Sequence, residues 1–380
     1  MALQATAADL ILQKFRSKDY EQYNRQHRYA KYVGKDPFSL IQREDSLMEN
    51  GEFVNIAFTD ALGQTNKGAQ VLDGNEATFG QRKTTLKPFW HREAVKIKKS
   101  EAKKAFTDQY RIQRRELRRW VQNHVYAAVV DAFDVVAEDA SAFEEGDADN
   151  ATGNAHSQQL TYAEASNAQR DAFVLANESR RLLFGGATSK LVSGDMSASL
   201  ANVAAADVLS PAFLGRMKRM ARADTWKTNG KLPMRPISSE NEESGREFFK
   251  VFVGPQNFEE LGNNEDMKRY NTDARVRGVE DNPIWQDGDL LYKGLMICEE
   301  PTIAPIAGVG AAGIDVEPLY FCGAQTLGWA MGQKYRYTKS DNTDYQFLRG
   351  VGVEEQWSIE KLFDGGEQRG MITGYAAAVA

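Results

Sequence analysis

Gly308-Val-Gly310-Ala-Ala-Gly313 has the spacing of a dinucleotide fingerprint, the pattern in this 380-residue chain that points most directly to chemistry. Such a loop holds a pyrophosphate only when its last glycine opens a helix whose first N–H groups face the phosphates. Here Ile314-Asp315-Val316 reads as strand, and Pro318 would disrupt a helix within its first turns. Gln333 and Lys334 stand where the fingerprint needs an acidic residue. A surface loop is expected. A nucleotide-dependent oxidoreductase is the reading it competes with.

Arg111, Arg114, Arg115, Arg118 and Arg119 fall at helical spacing and predict a basic stripe. Such a stripe can hold nucleic-acid phosphates with strong salt dependence, pair with a neighbour's carboxylates, or simply be solvated. The net charge of −6 and the lack of a recognition motif favour the last two. His27, His91, His124 and His156 stand far apart, and none has a cysteine at metal spacing. Cys298 and Cys322 cannot build a disulfide framework and read as small buried hydrophobes. No nucleophile elbow, Walker loop or His-Glu-x-x-His pattern is present. The expectation is a chain without catalytic, cofactor or metal residues, and not an enzyme.

The elements that would carry these residues follow from composition and periodicity. A hydrophobic content of 42% supports a packed core. No apolar run is long enough to span a membrane, and the N-terminus lacks signal-peptide order, so a protein that stays in solution is expected. Charge is segregated: fourteen Lys/Arg against four acids from Arg82 to Arg119, then eight acids and no base from Asp131 to Asp149. That polarity suits copies meeting acidic face to basic face.

The first fifty or so residues read as a polar arm, too small to bury a core of its own. Phe53 to Leu62 and Phe79 to Ile97 read as two extended stretches around a turn-rich segment. Two strands alone are marginal in water, so this ribbon is expected to find its stability on a neighbouring copy. Arms of roughly fifteen residues would reach about 50 Å. Phe53, Val54, Ile56, Phe58, Phe89 and Trp90 are its candidate contact residues, and the five arginines are candidates for charge complementarity.

Ser100 to about Ala140 reads as one long helix, with Leu117, Val121, His124/Val125, Ala128, Ala132 and Val135/Val136 on its apolar face. Thr161 and Glu164 have capping-box spacing, and Ser210-Pro211 opens a helix striped by Leu214, Met217 and Ala221. Phe248 to Val253 reads as a strand, followed by a helix from Gln256 and a second strand from Leu290 to Glu299.

The stretch VFVGP-helix, the Asn282-Pro283 before Trp285 and the strand closing on Glu299 resemble the major capsid proteins of tailed bacteriophages, in the N4-like podophage branch. LYFCGAQTLGWAMGQK, from Leu319 to Lys334, looks like that family's strand and Gly-Ala-Gln helix start. LDGNE, from Leu72, sits where the family's extended loop leads to its spine helix. One departure is Cys298, where the family more often has histidine.

The resemblance implies an α+β chain of the HK-type (Johnson) capsid fold. It would have an N-terminal arm over 1–52, an extended β-hairpin loop over 53–99, and a peripheral domain with the spine helix over 100–200. An axial domain would follow over 201–339, and 340–380 would return to the periphery. It implies self-assembly into hexamers and pentamers of an icosahedral shell, in the host bacterial cytoplasm. Expected partners are a portal, possible decoration proteins, packaged double-stranded DNA held without sequence readout, and no membrane. A separate scaffolding protein is expected because so few residues precede the loop. Some relatives join a loop lysine to a neighbour's asparagine, and Lys67, Lys83 and Lys87 lie in that kind of loop. An encapsulin-like nanocompartment shares the fold and is the nearest alternative.

Overall fold

The computed structural model describes residues 28–48, 51–59, 68–69, 71–73, 75–76, 80–100, 109–138, 158–223, 233–237, 247–274, 290–343, 345 and 347–378. They gather into two compact units. The larger is built from 29–89, 127–333 and 356–380, and the smaller around 90–126 and 334–355.

A six-stranded mixed sheet forms the centre of the larger unit. Its order is Leu290–Tyr292, Leu295–Glu299, Phe249–Val253, Asp315–Cys322, Met371–Ala378 and Leu182–Phe184. The inner strands are apolar on both faces because helices cover both sides. Phe249, Val251 and Val253 pack with Phe213, Leu214 and Met217 of the helix Pro211–Arg222. Phe252, one step out of phase, stacks on Phe133 at 5.1 Å. On the strands nearer the far edge, Leu182, Phe184, Val316 and Tyr375 meet Phe173 and Val174 of the helix Asn167–Asn177.

The sequence motif around Gly254 acquires a cause here. The helix Pro255–Asn263 starts with proline at its first turn and has no capping side chain of its own. The cap comes from Glu317, whose Oε2 accepts the Asn257 N–H at 2.9 Å. Burial pushes this carboxyl up, while the N–H groups of Asn257 and Gln256 pull it back down. A Cβ on Gly254 would lie 2.2 Å from Glu317 Oε1, so only glycine fits. Gly254→Ala is therefore expected to cost about 2–3 kcal/mol by forcing the carboxylate off the helix end. Urea unfolding of the variant against wild type measures it, and a loss below about 0.5 kcal/mol would contradict the packing.

Several expectations are corrected. The stretch Leu290 to Glu299 is a hairpin rather than one strand: Lys293 and Gly294 both take positive φ, 46° and 80°, as a two-residue turn requires. Gly323-Ala324-Gln325 opens no helix. Gln325 adopts φ 56°, the Thr326 hydroxyl bonds Gly323 O and Gly370 O, and the strand Leu327–Thr343 follows. The long helix is Gln109–Asp134, about 39 Å at 1.5 Å per residue, with 101–108 outside the described residues. Val135 and Val136 leave it for the strand Val135–Glu138, as β-branched residues favour. Thr161 and Glu164 do bond each other, but the reciprocal capping box that opens the helix is Ser166 with Gln169.

The arm's described part lies on its own chain. Tyr29 is fully buried against Phe133 and Phe252 and donates to Glu300 at 2.7 Å. Cys298 and Cys322 are both buried, as expected. In the smaller unit, Leu117 and Val121 of the long helix pack on Val351 and Val353, with Trp120 beside them.

Candidate interaction surface

The predicted ribbon is a true hairpin. Val54–Thr59 pairs antiparallel with Gln81–Leu86 over six residue pairs, from Val54↔Leu86 to Thr59↔Gln81. Alternation puts Val54, Ile56 and Phe58 on one face, opposite Arg82, Thr84 and Leu86. That face is docked on the chain's own body. Phe58 and Leu86 are buried with Leu47, Ala330 and Leu362, and Val54 and Ile56 pack on the rim. The Arg369 guanidinium lies 3.9 Å from the Phe58 ring centroid. Arg82 pairs with Asp364 at 2.6 Å, and the Thr84 hydroxyl donates to Phe363 O at 2.5 Å. The second extended stretch is broken at Lys87-Pro88, after which Phe89–Lys98 joins another sheet.

This corrects the expectation that the ribbon lacks apolar cover of its own. Its described strands are held by its own chain; Phe58 there and Phe89 in the next strand are buried, 5% and 4% exposed. Val54 and Ile56 are half-buried. Phe53, 49% exposed, and Trp90, 43% exposed, remain at the surface. Most of the connecting segment between 60 and 80 lies outside the described residues, as does Lys67. Lys83 is exposed, and Lys87 lies 3.7 Å from Glu52.

The arginine stripe divides in two. Arg111, Arg114 and Arg118 are exposed along the side of the helix away from Leu117 and Val121. Arg115 and Arg119 are half-buried and sit 3.6 and 2.9 Å from Glu116. Three guanidinium groups, not five, face outward.

Two histidines remote in sequence meet. His124 Nε2 and His91 Nδ1 are 3.0 Å apart, and Trp120 stacks on His124 at 5.0 Å. His27 and His156 lie outside the described residues. The glycine loop does not have the geometry of a phosphate cradle. Its last glycine leads into the strand Asp315–Cys322, and its N–H groups are already used. Gly308 donates to Asp315 at 2.8 Å, Gly310 to Ile314 O, and Ala311 to Val203 O.

Buried ionisable groups that escaped sequence reasoning include Lys361 and Glu360. Lys361 sends its ammonium to Val135 O at 2.5 Å and to Gln368 Oε1 at 3.5 Å. Nearby Asp134 accepts from the Tyr320 hydroxyl at 3.0 Å and the Tyr162 N–H at 3.2 Å. Burial pushes Asp134 up and Lys361 down, each opposed by the other's charge. Glu360, next in line, is buried beside the hairpin base, where it accepts the Lys87 backbone N–H. The available signal was a Glu-Lys pair directly before the apolar Leu362-Phe363.

A family model described as phage capsid protein matches residues 5–377. Among solved structures, the chain is similar to the cyanophage Pam1 capsid, with 25% identity, a TM-score of 0.82 and 96% of each chain covered. It is also similar to the capsid of Ralstonia phage GP4, with 15% identity, a TM-score of 0.72, and 98% of this chain and 96% of that one covered. The head of Helicobacter pylori bacteriophage KHP40 follows at 11% identity and a TM-score of 0.65, with 96% and 95% covered. No curated protein matches.

Proposed function

The chain belongs to the phage capsid protein family, and from that membership we infer that it is the major capsid protein of a tailed bacteriophage. Copies of it build the icosahedral shell of the virion. The observation that carries this reading is the family match over nearly the whole chain, joined by a shared fold with phage capsids over 96% of both chains. The oxidoreductase alternative loses its support because the glycine loop opens a strand. Nothing in the comparisons favours an encapsulin-like compartment.

The work of such a chain is association rather than catalysis. Modest contacts repeated over many copies add up to a stable shell, while each stays weak enough to correct errors. Within that reading 1–52 serves as the arm, 53–99 as the extended loop, 100–200 and 340–380 as the peripheral domain, and 201–339 as the axial domain. Phe53 and Trp90, with Val54 and Ile56 at the rim, are the loop's contact candidates. Arg111, Arg114 and Arg118, exposed on the long helix, are the charges that would meet a neighbour's carboxylates or packaged DNA. Hexameric and pentameric capsomers, a scaffolding protein, a portal, decoration proteins and assembly in the host cytoplasm complete the proposal.

Negative-stain microscopy of the expressed protein, with and without the genes that neighbour it, is the test. Closed particles or ring-shaped capsomers are the expected result. A stable monomer under both conditions would overturn the reading.

A further inference from the structure

Two histidines join the long helix to the strand Phe89–Lys98 in the smaller unit. His91, 5% exposed, sits on the strand, and His124 on the helix Gln109–Asp134. His124 Nε2 and His91 Nδ1 are 3.0 Å apart, with the rings edge-on at 4.8 Å. Trp120 lies flat on His124, with 5.0 Å between ring centres and 11° between planes.

The register names the groups that face this pair. The Lys99 N–H bonds Phe347 O, Gly352 lies against Ala94, and Arg92 reaches Glu354. The strand Leu348–Lys361 therefore runs antiparallel to Phe89–Lys98 and sets Glu355 directly opposite His91. Opposed residues share a face of the sheet. Val351 and Val353, in the same phase as Glu355, pack on Leu117 and Val121 of the helix. Glu355 is thus buried on the helix side. Tyr335 stands beside it on the strand Leu327–Thr343, because Arg336 pairs with Glu354 and Thr338 meets Gly352. Glu93 shares the His91 face of its own strand but is exposed, with its carboxylate on the Ala94 N–H. On the helix, Asp131 lies about two turns beyond His124.

A nitrogen–nitrogen contact of this length needs one N–H and one lone pair. One imidazolium fits: it donates to the other ring, Glu355 attracts it, and the Trp120 face favours a cation on His124. A second puts two N–H groups and two charges head to head across 3.0 Å. The unfolded chain takes up both protons as pH falls through histidine's ordinary value of about 6.5. It then binds more protons than the folded pair, so the contact weakens as pH falls. We propose that the His91–His124 contact is a proton-operated latch, which holds the long helix to the strand Phe89–Lys98 at neutral pH and opens when both rings are protonated. The latch belongs to the fold of one chain and stands apart from the shell reading.

Hydrogen–deuterium exchange of the full-length protein at about pH 7.5 and about pH 5, corrected for the intrinsic pH dependence of amide exchange, tests it. Helix amides between 113 and 126 are expected to exchange at least about tenfold faster at the lower pH, and those of the strand Phe249–Val253 less than about threefold. His124→Gln keeps a side-chain N–H for His91 and takes no proton, so its helix rise is expected to stay below about threefold. A wild-type helix rise no larger than that of the strand, or an undiminished rise in the variant, overturns the proposal. Should the variant lose its fold, the wild-type chain decides by itself, through exchange of the imidazole C2 hydrogens, which gives each ring its own titration. Two midpoints at least about one pH unit apart are expected for His91 and His124. A single shared midpoint, as in the urea-unfolded chain, overturns the latch and leaves the shell reading untouched.

Discussion

Replacing Lys361 with methionine is expected to destabilise the folded chain by about 1–3 kcal/mol, because it leaves the buried acceptors of its ammonium unmet and removes a positive charge near Asp134. Lys361 is 1% exposed, and its ammonium bridges the carbonyl that follows the long helix to the Gln368 side chain. Asp134, which accepts from the Tyr320 hydroxyl and the Tyr162 N–H, loses only the nearby positive charge. The double variant Lys361→Met with Asp134→Asn removes both charges and is expected to recover at least half of the loss. Urea unfolding at neutral pH measures both. Equal losses for the single and double variants would show that the charge has no part in the effect.

Glu360→Gln is expected to stabilise the chain, and to do so more as pH rises. Burial pushes the Glu360 carboxyl up to about 8, against partial relief from the Lys87 backbone N–H. The unfolded chain ionises this group near its usual value of 4.5, while the folded chain holds the proton until about pH 8. Stability is therefore full below about 4.5 and drains away at up to about 1.4 kcal/mol per pH unit until the folded group ionises. A glutamine in the same place escapes that loss. The gain is expected to be about 1–2 kcal/mol at pH 6 and about 3–5 kcal/mol at pH 8. Thermal unfolding of both proteins at pH 5, 6, 7 and 8 measures it, and a difference that stays flat across that range would refute the buried-proton account.

The parts legible from sequence were those set by neighbours along the chain. FKVFV followed by Gly254-Pro255 gives a strand and a helix start, and Ser210-Pro211 with its apolar stripe gives the helix Pro211–Arg222. Family-typical wording added the rest of the architecture. What stayed hidden depends on residues distant in sequence. Glu317 caps a helix sixty positions before it, and nothing in its own strand announces that role. Glu360 and Lys361 read as charged positions of a surface strand until other elements close over them. The Val135-Val136 step from helix to strand was masked because valines also fit the helical stripe. Among the contact candidates, Phe53 and Trp90 were found exposed. Phe58 was not, because its cover comes from Leu47, Ala330 and Leu362, far away in the chain.

The hairpin is clamped to its own chain along its described strands by Phe58, Leu86 and the Arg82–Asp364 pair. An element anchored that way is aimed by folding, so capture by another copy does not have to begin by choosing a direction. Much of the orientational entropy of joining is then spent during folding, once per molecule, which favours fast and reversible docking over adhesive strength.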